Sequence, residues 1–273
     1  MGHEVTGDAR SDVTHIFCFD PRPSQTSMSH GQLLDFSRFL GGVPIIQRVG
    51  DVGTHGKPDL TQLVKDTTKL SHRVIFTSEW AKDYVEYKGE CSVIPNGALP
   101  VFYENRRGPM PPCGFQRLRV VTHHWSNNSL KGIDLYERLR DEIRAGVLPF
   151  DFTYIGRSTP GLADCTLPPM SERELALELP RHDIYLSASQ LEAGANHIVE
   201  AMACGLPVVY SSKGGSIPEY CSSRGLQFLD FVGMVRSIEE AAFNYQKHWE
   251  QSQSYKRTID DVVDEYVEIL CAE

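Results

Sequence analysis

Two carboxylates, Glu192 and Glu200, are separated by seven residues that include a small and polar loop, Gly194-Ala195-Asn196-His197. The loop opens a run of good helix formers, and a second glycine pair, Gly214-Gly215, precedes another short helical run. The first turn of a helix presents backbone amides without intrahelical partners, and the macrodipole adds partial positive charge there. Each loop follows a short apolar run, Ile184 to Leu186 and Val208 to Tyr210. Both therefore lie where a parallel sheet binds ligands, beyond the carboxyl ends of its strands. The expected guest is an anion, with phosphate the natural one. A third loop, VVTHHWSNNSLKG from Val120 to Gly132, brings Lys131 to a helix start. A lysine there opposes the macrodipole, so an anionic ligand would offset an unfavourable placement.

The elements that must position these groups alternate along the chain, which is the pattern of a parallel α/β architecture. Strands are expected at Thr14 to Phe19, Val43 to Val49, Arg73 to Thr77 and Cys91 to Ile94, with helices at Gln32 to Leu40, Leu60 to Leu70 and Glu79 to Tyr87. A second series has strands at Leu118 to Thr122, Phe152 to Ile155, Asp183 to Leu186, Pro207 to Tyr210 and Gln227 to Phe228. Its helices are Gly132 to Ala145, Glu172 to Glu178, His197 to Ala203 and Ile217 to Cys221, and Ser237 to Leu270 reads as two more. Residues 104–116 hold three prolines and two glycines, the composition of a linker. The expected division is a short first domain over 1–105, a linker at 106–116, a second domain over 117–250 and a final helix within 251–273.

Bulk composition excludes several classes. With 27 basic against 36 acidic residues the net charge is −9, which argues against a nucleic-acid partner. No apolar stretch approaches the roughly 20 residues of a membrane helix, and the polar start is unlike a signal peptide. Seven cysteines occur without a C-x-x-C pair, which reads as buried reduced thiols rather than zinc ligands. A cytoplasmic protein is expected, free or peripheral to a membrane.

The stretch EAGANHIVEAMACGLPVVYSSKGGSIPE resembles the donor-site signature of retaining GT-B glycosyltransferases of the family-four type, the group 1 glycosyl transferases. The resemblance implies two Rossmann-type domains, the first shortened here, with the last helix crossing back to the first. It implies that Glu192 faces the donor sugar, that Glu200 accepts from the ribose hydroxyls, and that the Ala195 to His197 amides hold the pyrophosphate. Lys131-Gly132 matches half of the family's basic pair. The arginine of that pair is missing, and His123, His124, Asn127 or Asn128 stand where a substitute is needed. TSEWAKDYVEYKG followed by VIPNG resembles the family's run before the linker, in which Ser78 caps a helix and Asn96-Gly97 forms a turn. At the end of the strand before Arg157, Gly156 is expected to let the nucleotide base approach and Arg157 to stack on it. In PIIQRVGDVGTHG, Asp51 accepts a proton from the acceptor while Arg48 pairs an acidic acceptor, or the two hold the loop together; both readings stand.

The implied activity is transfer of a sugar from a nucleotide diphosphate sugar to a saccharide, lipid-linked or other hydroxyl acceptor, with retained anomeric configuration. Neither cofactor nor metal is expected, because Lys131 and loop amides replace a cation, and no protein nucleophile is needed. The rival from another class is a donor-binding subunit or fragment that works with a partner chain, which the short first domain and the missing arginine favour. A sugar-nucleotide epimerase is a further enzymatic alternative. In the plainest reading both glutamates are solvated helix-surface charges.

Overall fold

The structure, a computed structural model, describes residues 4–23, 25, 27–109 and 117–271. The chain forms two compact units, one running to Ile94 and taking in Leu270 and Cys271, the other spanning Pro95–Ile269. In the first unit strands and helices alternate strictly: β1 (Ile16–Cys18), α1 (His30–Phe39), β2 (Ile45–Val49), α2 (Pro58–Thr68), β3 (Arg73–Phe76), α3 (Glu79–Tyr84) and β4 (Ser92–Val93). The four strands are parallel and lie in chain order. Ser29 starts α1 with a capping box to Gln32, and Ser78 caps α3 through the Ala81 amide. β2 is buried on both faces, so its one fully buried polar side chain must be satisfied internally. Gln47 does this by donating to Thr67 Oγ1 and accepting from Ser71 Oγ, each at 2.9 Å.

The second unit contains α4 (Val101–Glu104), β5 (Leu118–His124), α5 (Ile133–Arg144), β6 (Phe150–Gly156), β7 (Thr166–Leu167), α6 (Glu172–Glu178) and β8 (Ile184–Ser187). It continues with α7 (Asn196–Ala203), β9 (Val208–Ser211), α8 (Ile217–Cys221), β10 (Gly225–Phe228), α9 (Phe231–Phe243), α10 (Tyr245–Gln253) and all but the last two residues of α11 (Ile259–Cys271). Its six strands are parallel in the order β10-β9-β8-β5-β6-β7. Winding proceeds outward from β5 in one direction through β6 and in the other through β8. The β5/β8 junction is therefore the topological switch point, where the connections leave to opposite faces and a crevice opens at the strand ends.

Period-two alternation along the strands divides the core. Val121, Ile155, Tyr185 and Val208 pack with Ile198, Met202 and Ile217 on one face. Val120, Phe152, Ile184 and Val209 pack with Tyr136, Leu139, Met234 and Ile238 on the other. The described cysteines are free thiols; Cys18, Cys204 and Cys221 are buried, and burial pushes the Cys165 thiol up to about 11.

Three helices, not two, occupy the carboxyl-terminal region. α9 begins at Phe231, earlier than the pattern suggests, because Asp230 caps it by accepting from the Gly233 amide at 2.8 Å. The expected linker is only partly within view, since residues 110–116 lie outside the described residues. Its described part is fastened to the second unit. Arg106 donates to the carbonyls of Ala203 and Tyr255, both at 2.8 Å, and Gln253 at 3.1 Å. Arg107 pairs Asp183 at 2.5 Å. Low apolar content concealed an anchor made of two guanidinium groups.

Candidate functional site

A cavity of about 480 Å³ opens at the β5/β8 switch point, a size that suits a small-molecule ligand. Its lining comes from the end of β5 (His123, His124 and Trp125), from Lys131, from Ile155 and Gly156, and from the start of α6 with Pro169, Met170 and Leu175. The loop after β8 contributes Glu192, Gly194, Asn196 and His197, and α7 contributes Glu200.

The two central loops are pressed together. The Gln190 amide donates to the Leu130 carbonyl at 2.8 Å. Gly132 has φ of 80°, and a Cβ there would lie 2.4 Å from the Ala188 carbonyl oxygen. Only glycine permits that backbone and that approach. Glu192 is held from its other side by the second glycine loop: its amide donates to Gly214 O at 3.2 Å and its carbonyl accepts from the Ser216 amide at 2.8 Å. Gly214-Gly215 is thus a buttress for Glu192 and is not among the cavity-lining residues, unlike the ligand loop expected from sequence.

Two side-chain pairs result. Lys131 Nζ lies 2.6 Å from Glu192 Oε1, with only 15% and 11% of the side chains exposed. The anion that offsets the lysine's position is a carboxylate of the chain itself. His123 Nε2 lies 2.7 Å from Glu200 Oε2, and its Nδ1 lies 3.1 Å from the Tyr185 hydroxyl. Behind them His124 Nε2 is 3.0 Å from both Thr122 Oγ1 and Tyr136 OH, and the Tyr136 hydroxyl accepts from the Ala188 amide at 2.8 Å. His197 Nε2 meets Ser187 Oγ at 2.9 Å. Burial holds the Tyr136 and Tyr185 hydroxyls well above their ordinary range, so both stay protonated and act as donors.

The fold brings Lys131, Glu192, Gly194, Asn196, His197, Glu200 and Gly156 to one cavity. Asn196 is fixed there, its Oδ1 accepting from Asn96 Nδ2 at 2.6 Å while its amide donates to Gly194 O at 3.0 Å. Ala195 is fully buried, as the residue that precedes α7. At Gly156, φ is 122° and a Cβ would lie 2.0 Å from the His124 carbonyl oxygen, so the missing side chain makes room for β5. Arg157 is outside the lining, its guanidinium 5.0 Å from the centroid of the exposed Trp125 ring. Asn127 is exposed outside the lining, and Asn128 caps the turn Ser129–Lys131 by accepting from the Leu130 amide. Asp51 belongs to the first unit, where Gly53 N–H donates to its Oδ1 at 2.9 Å and Lys57 pairs its other oxygen.

Sequence reading missed the contributions of Asn96 and Tyr185. The first was hidden in a turn motif, the second inside an apolar strand whose only signal is a tyrosine among aliphatics. Among the described residues no group of three or more His, Cys, Asp or Glu side chains is arranged to hold a metal ion. Among them no helix is long and apolar enough to cross a membrane.

Residues 142–241 match the family described as "Glycosyl transferases group 1". That span contains Glu192 and Glu200 but neither His123 nor Lys131. Among curated proteins none matches the chain in sequence. Similar solved structures include the sucrose-phosphate synthase of Thermosynechococcus elongatus, with 17% identity, a TM-score of 0.64, and 87% of this chain and 72% of that one covered. Anabaena HepE in complex with UDP and glucose gives 16% identity, a TM-score of 0.65, and coverage of 89% and 75%. WaaG, a glycosyltransferase of lipopolysaccharide biosynthesis, gives 11% identity, a TM-score of 0.61, and coverage of 91% and 85%. At these identities the likeness is one of fold, a GT-B-like α/β architecture with two parallel sheets.

Proposed function

We propose that the second unit binds a nucleotide diphosphate sugar and that the protein transfers the sugar to a hydroxyl acceptor with retained anomeric configuration. One observation carries this reading. A single cavity at the switch point joins a buried cation–carboxylate pair, Lys131–Glu192, to a second carboxylate, Glu200, in the second turn of α7. The family match over residues 142–241 and the UDP complex of the similar Anabaena protein support it.

In this reading Glu200 accepts from the ribose hydroxyls, because an ionised carboxylate offers two oxygens to two donors. Glu192 faces the sugar, and the diphosphate shares Lys131 with it. Charge builds on the leaving oxygen as the glycosidic bond breaks, so Lys131 interacts more strongly with the transition state than with the bound donor. Ile155, Met170 and Leu175 form an apolar wall for the base. The departing phosphate takes the acceptor's proton on the same face, so no protein nucleophile is needed, and fixed charge replaces a metal.

The test is incubation with a panel of nucleotide sugars, with and without alcohol and saccharide acceptors, reading nucleoside diphosphate release and the product's anomeric configuration by NMR. Release with a retained product supports the proposal, whereas an inverted product overturns the stereochemical part. Tight nucleoside diphosphate binding without hydrolysis or transfer of any donor would assign the chain the role of a donor-binding subunit.

A further inference from the structure

We infer that His123 is a positioning residue: it fixes Glu200 through a directed hydrogen-bond chain that starts at Tyr185, and so sets the preference for a ribonucleotide. The inference rests on the reading of this cavity as a nucleotide site. Its direction follows from donor counting. The His123 amide donates to the Tyr185 hydroxyl oxygen at 3.3 Å, which occupies a lone pair of that oxygen. Besides the Thr122 side chain, the hydroxyl proton has His123 Nδ1 within reach at 3.1 Å and the His123 carbonyl at a longer 3.4 Å. With the hydroxyl donating along the shorter contact, Nδ1 is an acceptor and the ring carries a proton on Nε2. That proton points to Glu200 Oε2 at 2.7 Å.

Three consequences follow. First, the ring of His123 is held between two partners, the Tyr185 hydroxyl at Nδ1 and Glu200 at Nε2, so its place in the cavity is one of alignment. Second, Tyr185 is fully buried and His123 is 8% exposed, so the chain is anchored in the core and transmits its geometry to the cavity. Third, one oxygen of Glu200 is pinned, while Oε1 has no hydrogen-bond partner among the described residues. A carboxylate held in one rotamer before its ligand arrives loses less freedom on binding. The elements that meet here are β5 for His123, β8 for Tyr185 and α7 for Glu200, so the switch point itself supplies the alignment.

The test is calorimetric binding of UDP, GDP and ADP to the full chain, followed by the 2′-deoxy and 3′-deoxy counterparts of the tightest binder and by inorganic pyrophosphate. The parent should prefer the ribonucleotide. His123→Ala should lose about tenfold in ribonucleotide affinity, the effect of one hydrogen bond to a charged group, with pyrophosphate binding unchanged and the preference over the deoxy forms erased. His123→Gln should restore the preference, because its amide nitrogen reaches the place of Nε2, and His123→Asn should not. Tyr185→Phe should weaken the preference without removing it. A folded His123→Ala or His123→Asn protein that keeps the full preference overturns the inference. Glu200→Ala separates the two levels. If it too keeps the preference, or if the parent binds none of the nucleotides, the nucleotide reading of the cavity fails; if it alone loses the preference, only the role of His123 fails.

Discussion

Lys131 and Glu192 lie 61 positions apart in sequence, yet their side chains meet at 2.6 Å in the second unit's cavity. Each charge is largely removed from water, so each depends on the other. The pair exists because Gly132 lets the loop after β5 settle against Ala188 and because the Gly214-Gly215 loop supports Glu192 from behind. Under the proposed function it sets up a competition in which an incoming diphosphate would share the lysine with the carboxylate.

That competition gives the first prediction. Glu192→Gln should raise the affinity for inorganic pyrophosphate and nucleoside diphosphate, because the lysine is no longer neutralised, while lowering sugar transfer. Lys131→Ala should reduce transfer by ~10²–10³, the usual loss for one group that stabilises developing charge. It should leave binding of the nucleoside without phosphates unchanged. Turnover of Lys131→Ala within a few-fold of the parent would show that the lysine only holds its loop.

Gly132→Ala tests the loop contact directly. The added methyl meets the Ala188 carbonyl at a backbone angle that alanine resists, and strain of this sort costs about 1–3 kcal/mol. The expected result is a lower urea midpoint together with weaker nucleotide binding. An unchanged midpoint would mean that the two loops are not in register as described.

Activity should survive excess chelator after dialysis. The fixed charge of Lys131 offers the diphosphate an alternative to a bound cation. Loss of transfer on chelation, restored by manganese or magnesium, would count against this mechanism.

Acid should destabilise the fold in two stages. Burial, the largest influence, lowers the pKa of His182 below its usual 6.5, so the native state holds it neutral. The unfolded chain takes up a proton first as pH falls, so this contribution is complete above 6.5 and declines below it. Asp183 acts at lower pH. Burial raises its pKa, but hydrogen bonds from Arg119 and the charges of Arg107 and Arg119 outweigh that and leave it below 3.8. Its contribution is present above 3.8 and is lost as pH falls through the lower folded value. Urea midpoints measured from pH about 7.5 down to about 5 should fall for the parent and fall less for His182→Gln. Asp183→Asn should cost about 3–5 kcal/mol at neutral pH, since it leaves two arginines without their shared partner. A flat profile in the parent would refute the first stage.

Local pattern determined much of this protein. Alternating apolar runs and helical stretches made the parallel α/β class legible, since period and capping are properties of neighbouring residues. The spacing of Glu192 and Glu200 around a small-residue helix start, with Lys131 at another, pointed to an anion site within one sheet. Tertiary structure decided which partners those groups have. Strand order placed β5 beside β8, and only that adjacency brings Lys131 to Glu192 and His123 to Glu200. Asn96 reached Asn196 across 100 positions, and Tyr185, an unremarked strand residue, came to lie 3.1 Å from the His123 ring. Hydrogen bonds and ion pairs depend on distances of a few ångströms between segments far apart in sequence, and no periodicity along the chain encodes them.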